Sequence, residues 1–76
     1  MKELLEYVAR HVVDDPEAVE VTAVEGERSV ILQLRVAPDD MGKVIGKGGR
    51  TARAIRSIVR VAGTRQGVST LVEIVE

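Results

Sequence analysis

Apolar residues at helical spacing open the chain: Leu4, Leu5, Val8, Val12 and Val13 recur over residues 2 to about 14, with Glu3, Glu6 and Arg10 elsewhere on the wheel. The spacing predicts an amphipathic helix, and Asp14-Asp15-Pro16 stops it because Pro16 cannot donate and disfavours helical geometry at Asp15. The period then changes to two. Val19, Val21 and Ala23 alternate with polar residues up to Val24, Glu25-Gly26-Glu27 offers a hairpin turn, and Val30, Leu32, Leu34 and Val36 point one way against Ser29, Gln33 and Arg35. Ile31 breaks this alternation, as a residue partly covered by a neighbour or lining a groove would. Pro38 ends the second strand, and Asp39 or Asp40 is placed to cap a short helix running to about Ile45. A third helix is expected from Arg50 to Ala62, closed by Gly63 as C-cap, and a last strand holds Val68, Leu71, Val72, Ile74 and Val75.

The order is helix, strand, strand, helix, turn, helix, strand: an α+β chain in a single domain, residues 1–76. A tight turn makes the first two strands antiparallel, while a two-helix crossover returns the third parallel and right-handed. The expected architecture is a three-stranded mixed sheet with helices packed on one face.

Between the last two helices lies Val44-Ile45-Gly46-Lys47-Gly48-Gly49-Arg50. Three glycines in four positions allow positive φ and let another backbone approach closely, and the following helix start presents unpaired N–H groups that favour an anion. Two familiar phosphate loops fail on spacing. A Walker loop needs four residues between its first glycine and Gly-Lys-Ser/Thr, whereas Gly42 and Gly46 are separated by three and Gly48 follows Lys47; the dinucleotide fingerprint would demand glycine at Thr51. What remains is Gly-x-x-Gly between two helices, the turn with which KH domains clamp about four nucleotides by their backbone.

The charge pattern supports that reading despite a net charge of -1. Residues 1–27 hold eight of the twelve acids (Glu3, Glu6, Asp14, Asp15, Glu17, Glu20, Glu25, Glu27), whereas residues 41–67 hold seven bases and no acid (Lys43, Lys47, Arg50, Arg53, Arg56, Arg60, Arg65). The local field at the turn is therefore positive. Arg50 and Arg53 are nearest the turn; Arg56 and Arg60 lie farther along the same side, where they serve equally well as a solvated face. Opposite them are Ile55, Ile58, Val59 and Ala62, and Ala54 and Val61 flank that stripe, making the apolar arc wider than one sheet face need bury. This arc is either that of a generously covered core helix or a partner surface, with Ala54, Ile58 and Val61 as its dimer contact, since a domain this small gains from outside help.

Several classes are excluded or weakened. Without cysteine there is no disulfide framework or thiolate metal site, and His11 has no second metal-type ligand at helical spacing, so neither metal nor cofactor is expected. The aspartate pairs sit at helix boundaries, where capping explains them, and no enzyme machinery or small-molecule substrate site is visible. The acidic start and the lack of a roughly 20-residue apolar run point to a cytoplasmic protein without membrane attachment. Tyr7 is the single aromatic residue, so an aromatic stacking platform is ruled out and each bound base forgoes about 1 to 3 kcal/mol.

Residues Val44 to Arg56, with the preceding Pro38-Asp39-Asp40-Met41-Gly42-Lys43, resemble the signature of the small bacterial single-KH RNA-binding proteins, the KhpA-like family, and the element order resembles the type II KH fold over essentially the whole chain. One departure is Ala52, where KH domains tend to carry a larger aliphatic residue. The resemblance implies a single-stranded RNA ligand held by Gly46, Lys47, Gly48 and Gly49, with Ile45 and Ile55 lining the apolar floor under the bases; the charge pattern adds Lys43, Arg50 and Arg53 beside them. It further implies a chaperone-like role in the bacterial cytoplasm, self-association or pairing with a larger KH-containing protein, and a link to cell-shape and cell-wall regulation. The competing reading is a KH-mediated protein-interaction module whose RNA contact is incidental.

Overall fold

The computed structural model describes residues 1–75. Its elements are α1 (Lys2–Val12), β1 (Glu20–Glu25), β2 (Ser29–Arg35), α2 (Met41–Ile45), α3 (Arg50–Arg65) and β3 (Ser69–Val75), with single 3₁₀ turns opened by Pro16 and by Pro38. The sheet order is β1-β2-β3. β1 and β2 are antiparallel, Val21 opposite Leu34, and β2 and β3 are parallel, Leu32 beside Val72. This is the α-β-β-α-α-β order of a type II KH domain.

The alternation in β2 works as expected. Val30, Leu32 and Leu34 face the helices and are buried with Val21 and Val72, closing against Leu5 and Ala9 of α1, Val44 of α2 and Ile55 and Val59 of α3. Ile31 therefore lies on the opposite face. There it stands in register between Val24 and Leu71, all three exposed, so it lines no groove on the helical side.

Two helix ends differ from expectation. α1 stops at Val12, two residues early, because Val13 is already extended and only its N–H still reaches back to Ala9. α3 runs three residues past Ala62. Gly63 is inside the helix and buried: a Cβ there would stand 2.5 Å from Thr70 Cγ2 and 3.0 Å from the Val68 carbonyl, so the missing side chain lets α3 close onto β3. The reversal occurs at Gly67 (φ +74°), whose N–H donates to the Thr64 carbonyl while Val68 N–H donates to that of Gly63, the paired bonds of a Schellman motif.

Candidate nucleic-acid interface

The turn between α2 and α3 takes its shape from three left-handed glycines, Gly46 (φ +75°), Gly48 (φ +64°) and Gly49 (φ +78°). Space and backbone both demand glycine at Gly46, where a Cβ would collide with Thr51, its Cβ 2.8 Å and its N 2.9 Å away. At Gly48 only the backbone does; nothing lies within 4 Å of the position a Cβ would take. Gly46 N–H donates to Gly42, Gly49 N–H to Gly46 and Arg50 N–H to Lys47. The Lys47 and Gly48 amides donate to no described residue, and both residues are exposed. Two neighbouring donors without a described partner thus lie at the exposed tip, in front of a helix start that no side chain caps.

Basic side chains surround that tip. Arg53 folds back, donating from Nη1 to the Gly48 carbonyl at 3.0 Å, which stiffens the turn and fixes a guanidinium beside it. Arg50 and Lys47 are exposed and make no ion pair among the described residues. One helical turn on, Arg56 donates from Nε to the Val72 carbonyl at 3.3 Å and so bridges α3 to the edge of β3. Beyond it Arg60, Thr64, Ser69 and Thr70 border an open depression of about 430 Å³ between the end of α3 and the start of β3. Arg53, Arg56 and Arg60 therefore follow one side of α3 from the turn along β3. Arg56 and Arg60 thus stand in line with Arg53 and the turn.

Two expected site residues are placed elsewhere. Ile55 is 2% exposed and sits in the core, so it offers bases no surface. Ile45, 42% exposed, is available at the end of α2. Lys43 stands about 200° round α2 from Ile45, and its ammonium is paired with Asp14 and lies 3.6 Å from Asp40 Oδ1, so its charge is met within the protein.

Asp40 itself caps nothing in α2. It is 2% exposed, the one buried charged side chain among the described residues, and its carboxylate accepts the Asp15 N–H at 3.0 Å and the Asp14 N–H at 3.2 Å. Burial pushes this carboxyl up, but the two amides and Lys43 outweigh it and hold it below the ordinary carboxylate range. The hydrogen bond to Asp14 raises the Lys43 ammonium, against burial that would lower it. Sequence reasoning missed this cluster, for which spacing gives no signal: Asp14 and Asp40 meet only through the fold.

The α3 face that carries Ala54, Ile58 and Val61 is partly open. Ile58 is 45% and Val61 56% exposed, and Ala54 is exposed beside them, whereas Ala52, Ile55, Val59 and Gly63 fill the buried side.

Comparison with known proteins fits this geometry. The family model described as KhpA/KhpB, KH domain, matches residues 2–74. The chain belongs to the KhpA/KhpB KH-domain family. It is 52% identical over 75 residues to the RNA-binding protein KhpA of Clostridium acetobutylicum, covering 99% of this chain and all of that one, and 53% identical over the same span to its namesake in Clostridium perfringens. To KhpA of Aquifex aeolicus it is 45% identical over 76 residues, 100% of this chain and 96% of the other. These KhpA proteins are named for binding and not for a reaction. Among solved structures, a single-residue variant of Era from Aquifex aeolicus bound to GDP.AlF4- superposes with a TM-score of 0.65 at 17% identity, over 97% of this chain and 30% of that one, a likeness of fold alone.

Proposed function

We propose that the protein is a non-enzymatic binder of single-stranded RNA that seats the phosphate backbone on the Lys47 and Gly48 amides. The observation that carries this reading is a pair of amide donors with no partner among the described residues, at the tip of a glycine turn in a stretch of chain that holds bases and no acid from Met41 to Gly67. Lys47, Arg50 and Arg53 add charge around that seat, and Ile45 gives a neighbouring base an apolar surface. Without aromatic stacking, a single copy binds weakly and with little sequence preference, which suits a chaperone-like role. The relatives' name supports RNA as the ligand; a cytoplasmic setting and a part in cell-shape and cell-wall regulation rest on the family resemblance.

Salt titration tests the reading. With about three or four phosphates neutralised, the logarithm of affinity for a single-stranded RNA should fall with the logarithm of salt at a slope of about −2 to −3, and Lys47→Gln should remove about 0.7 of it. A flat salt response would leave RNA contact incidental. A parallel titration with DNA of the same sequence shows whether the 2′-OH contributes.

The exposed Ala54, Ile58 and Val61 support a second element of the proposal, association through α3 with another copy or with a larger KH-containing protein. Two linked grooves would raise avidity on an RNA long enough to span both. Val61→Glu is expected to leave the fold intact and convert a dimer to a monomer in sedimentation; an unchanged mass would remove α3 from the interface.

A further inference from the structure

The turn is carried by a weak support. α2 has five residues, too few to hold a direction by its own hydrogen bonds, and no side chain caps its start. Val44 anchors one side of it in the core. On the far side from Ile45 the anchor is the Asp40 carboxylate, which grips the two amides that follow the end of α1, and one turn on Lys43 reaches back to Asp14 of the same segment. Two attachments one turn apart fix a short helix in tilt and in rotation. Gly46 begins three residues after Lys43, so the direction of the Lys47 and Gly48 amides follows from how α2 is held. Burying a charge is costly unless it is paired and hydrogen-bonded, as this carboxylate is.

We infer that Asp40 is a positioning residue for the nucleic-acid turn: by tying the start of α2 to the end of α1 it aims the Lys47 and Gly48 amides, without touching the ligand. The inference rests on the RNA-binding reading for its consequence and on the fold for its geometry. Around the carboxylate the facing groups are the Asp14 and Asp15 amides of the segment after α1, the Asp14 side chain, and Lys43 of α2. Lys43 acts through this fastening and contributes no phosphate contact of its own.

The test combines amide NMR spectra of the RNA-free protein with affinity for a single-stranded RNA ten-mer, on Asp40→Ala, Asp40→Asn and Lys43→Met. In Asp40→Ala the sheet signals should stay in place while those of Lys47, Gly48 and Gly49 shift or broaden, and RNA affinity should fall about tenfold through lost preorganisation. Asp40→Asn keeps one acceptor oxygen but turns an NH2 toward the second donor, so a smaller change of the same kind is expected. Lys43→Met should weaken binding with an unchanged salt slope. Turn signals and affinity that stay at wild-type values in a folded Asp40 variant would overturn the inference, as would a Lys43→Met slope reduced by about 0.7, the mark of a direct phosphate contact. Should Asp40→Ala fail to fold, Asp40→Asn decides by the same two readings. If the wild-type protein binds no RNA, the functional reading falls, while shifted turn signals still uphold the positioning role.

Discussion

Replacing Lys47 and Gly48 together with aspartate should reduce RNA affinity at least a hundredfold while the protein stays folded. The fold is spared because both side chains would project from an exposed tip: a Cβ at Gly48 meets nothing within 4 Å, and Lys47 has no ion-pair partner among the described residues to lose. Holding a non-glycine residue at φ +64° costs about 1 to 2 kcal/mol, less for aspartate than for most residues. A domain of this length has about 4 to 11 kcal/mol in hand. Binding suffers on three counts. A lysine contact disappears, two carboxylates now face the phosphates, and new side chains stand over the amides that should donate. Charged hydrogen bonds contribute about 1.5 to 3 kcal/mol each, so losing two of them exceeds a hundredfold. Fluorescence anisotropy on labelled RNA, with a circular dichroism melt to establish folding, measures both arms. Unchanged affinity in the folded double variant would show that the strand lies elsewhere.

How much of this could be read beforehand differs by element. β2 was transparent, since one face of an antiparallel and parallel neighbour pair imposes strict alternation, and Val30, Leu32 and Leu34 obey it. The glycine turn was equally plain, because three positive-φ positions in four leave few other residues acceptable. Gly63 was misleading. A glycine after an apolar helical run looks the same whether it ends the helix or makes room for a strand, and only Gly67, four residues later, marks the true reversal. Asp40 posed a similar ambiguity: an aspartate before a helix usually caps it, but here its partners are amides 25 and 26 residues away. Counting charges along the chain likewise put Lys43 in the basic block, with no indication that Asp14 would neutralise it from the end of α1. The helical wheel told the core stripe from the arginine stripe but not its centre. With Ala52, Val59 and Gly63 buried, that centre moves toward Val59 and Ala52 and away from Ile58, which is left half-exposed.

The two isoleucines of the expected groove floor should consequently part company on truncation. Ile55→Ala removes a side chain that is 2% exposed and packed within the core, where such changes cost about 2 to 5 kcal/mol and the loss depends on how far the surroundings collapse. For a chain with about 4 to 11 kcal/mol of total stability this lowers the melting temperature sharply, and the low end of that range leaves a measurable unfolded fraction at room temperature. Once affinity is corrected for the folded fraction, RNA binding by Ile55→Ala should match wild type, because the residue never reached the surface. Ile45→Ala should behave in the opposite way. Its side chain is already 42% exposed, so stability falls by about 1 kcal/mol or less, whereas a base that rests on it loses apolar contact and affinity drops severalfold. Chemical denaturation and RNA titration on the same two variants separate the cases. If Ile45→Ala binds RNA as wild type does while folded Ile55→Ala does not, the bases run beneath α3 and not across the end of α2, and the path from the turn along Arg53, Arg56 and Arg60 would have to be redrawn.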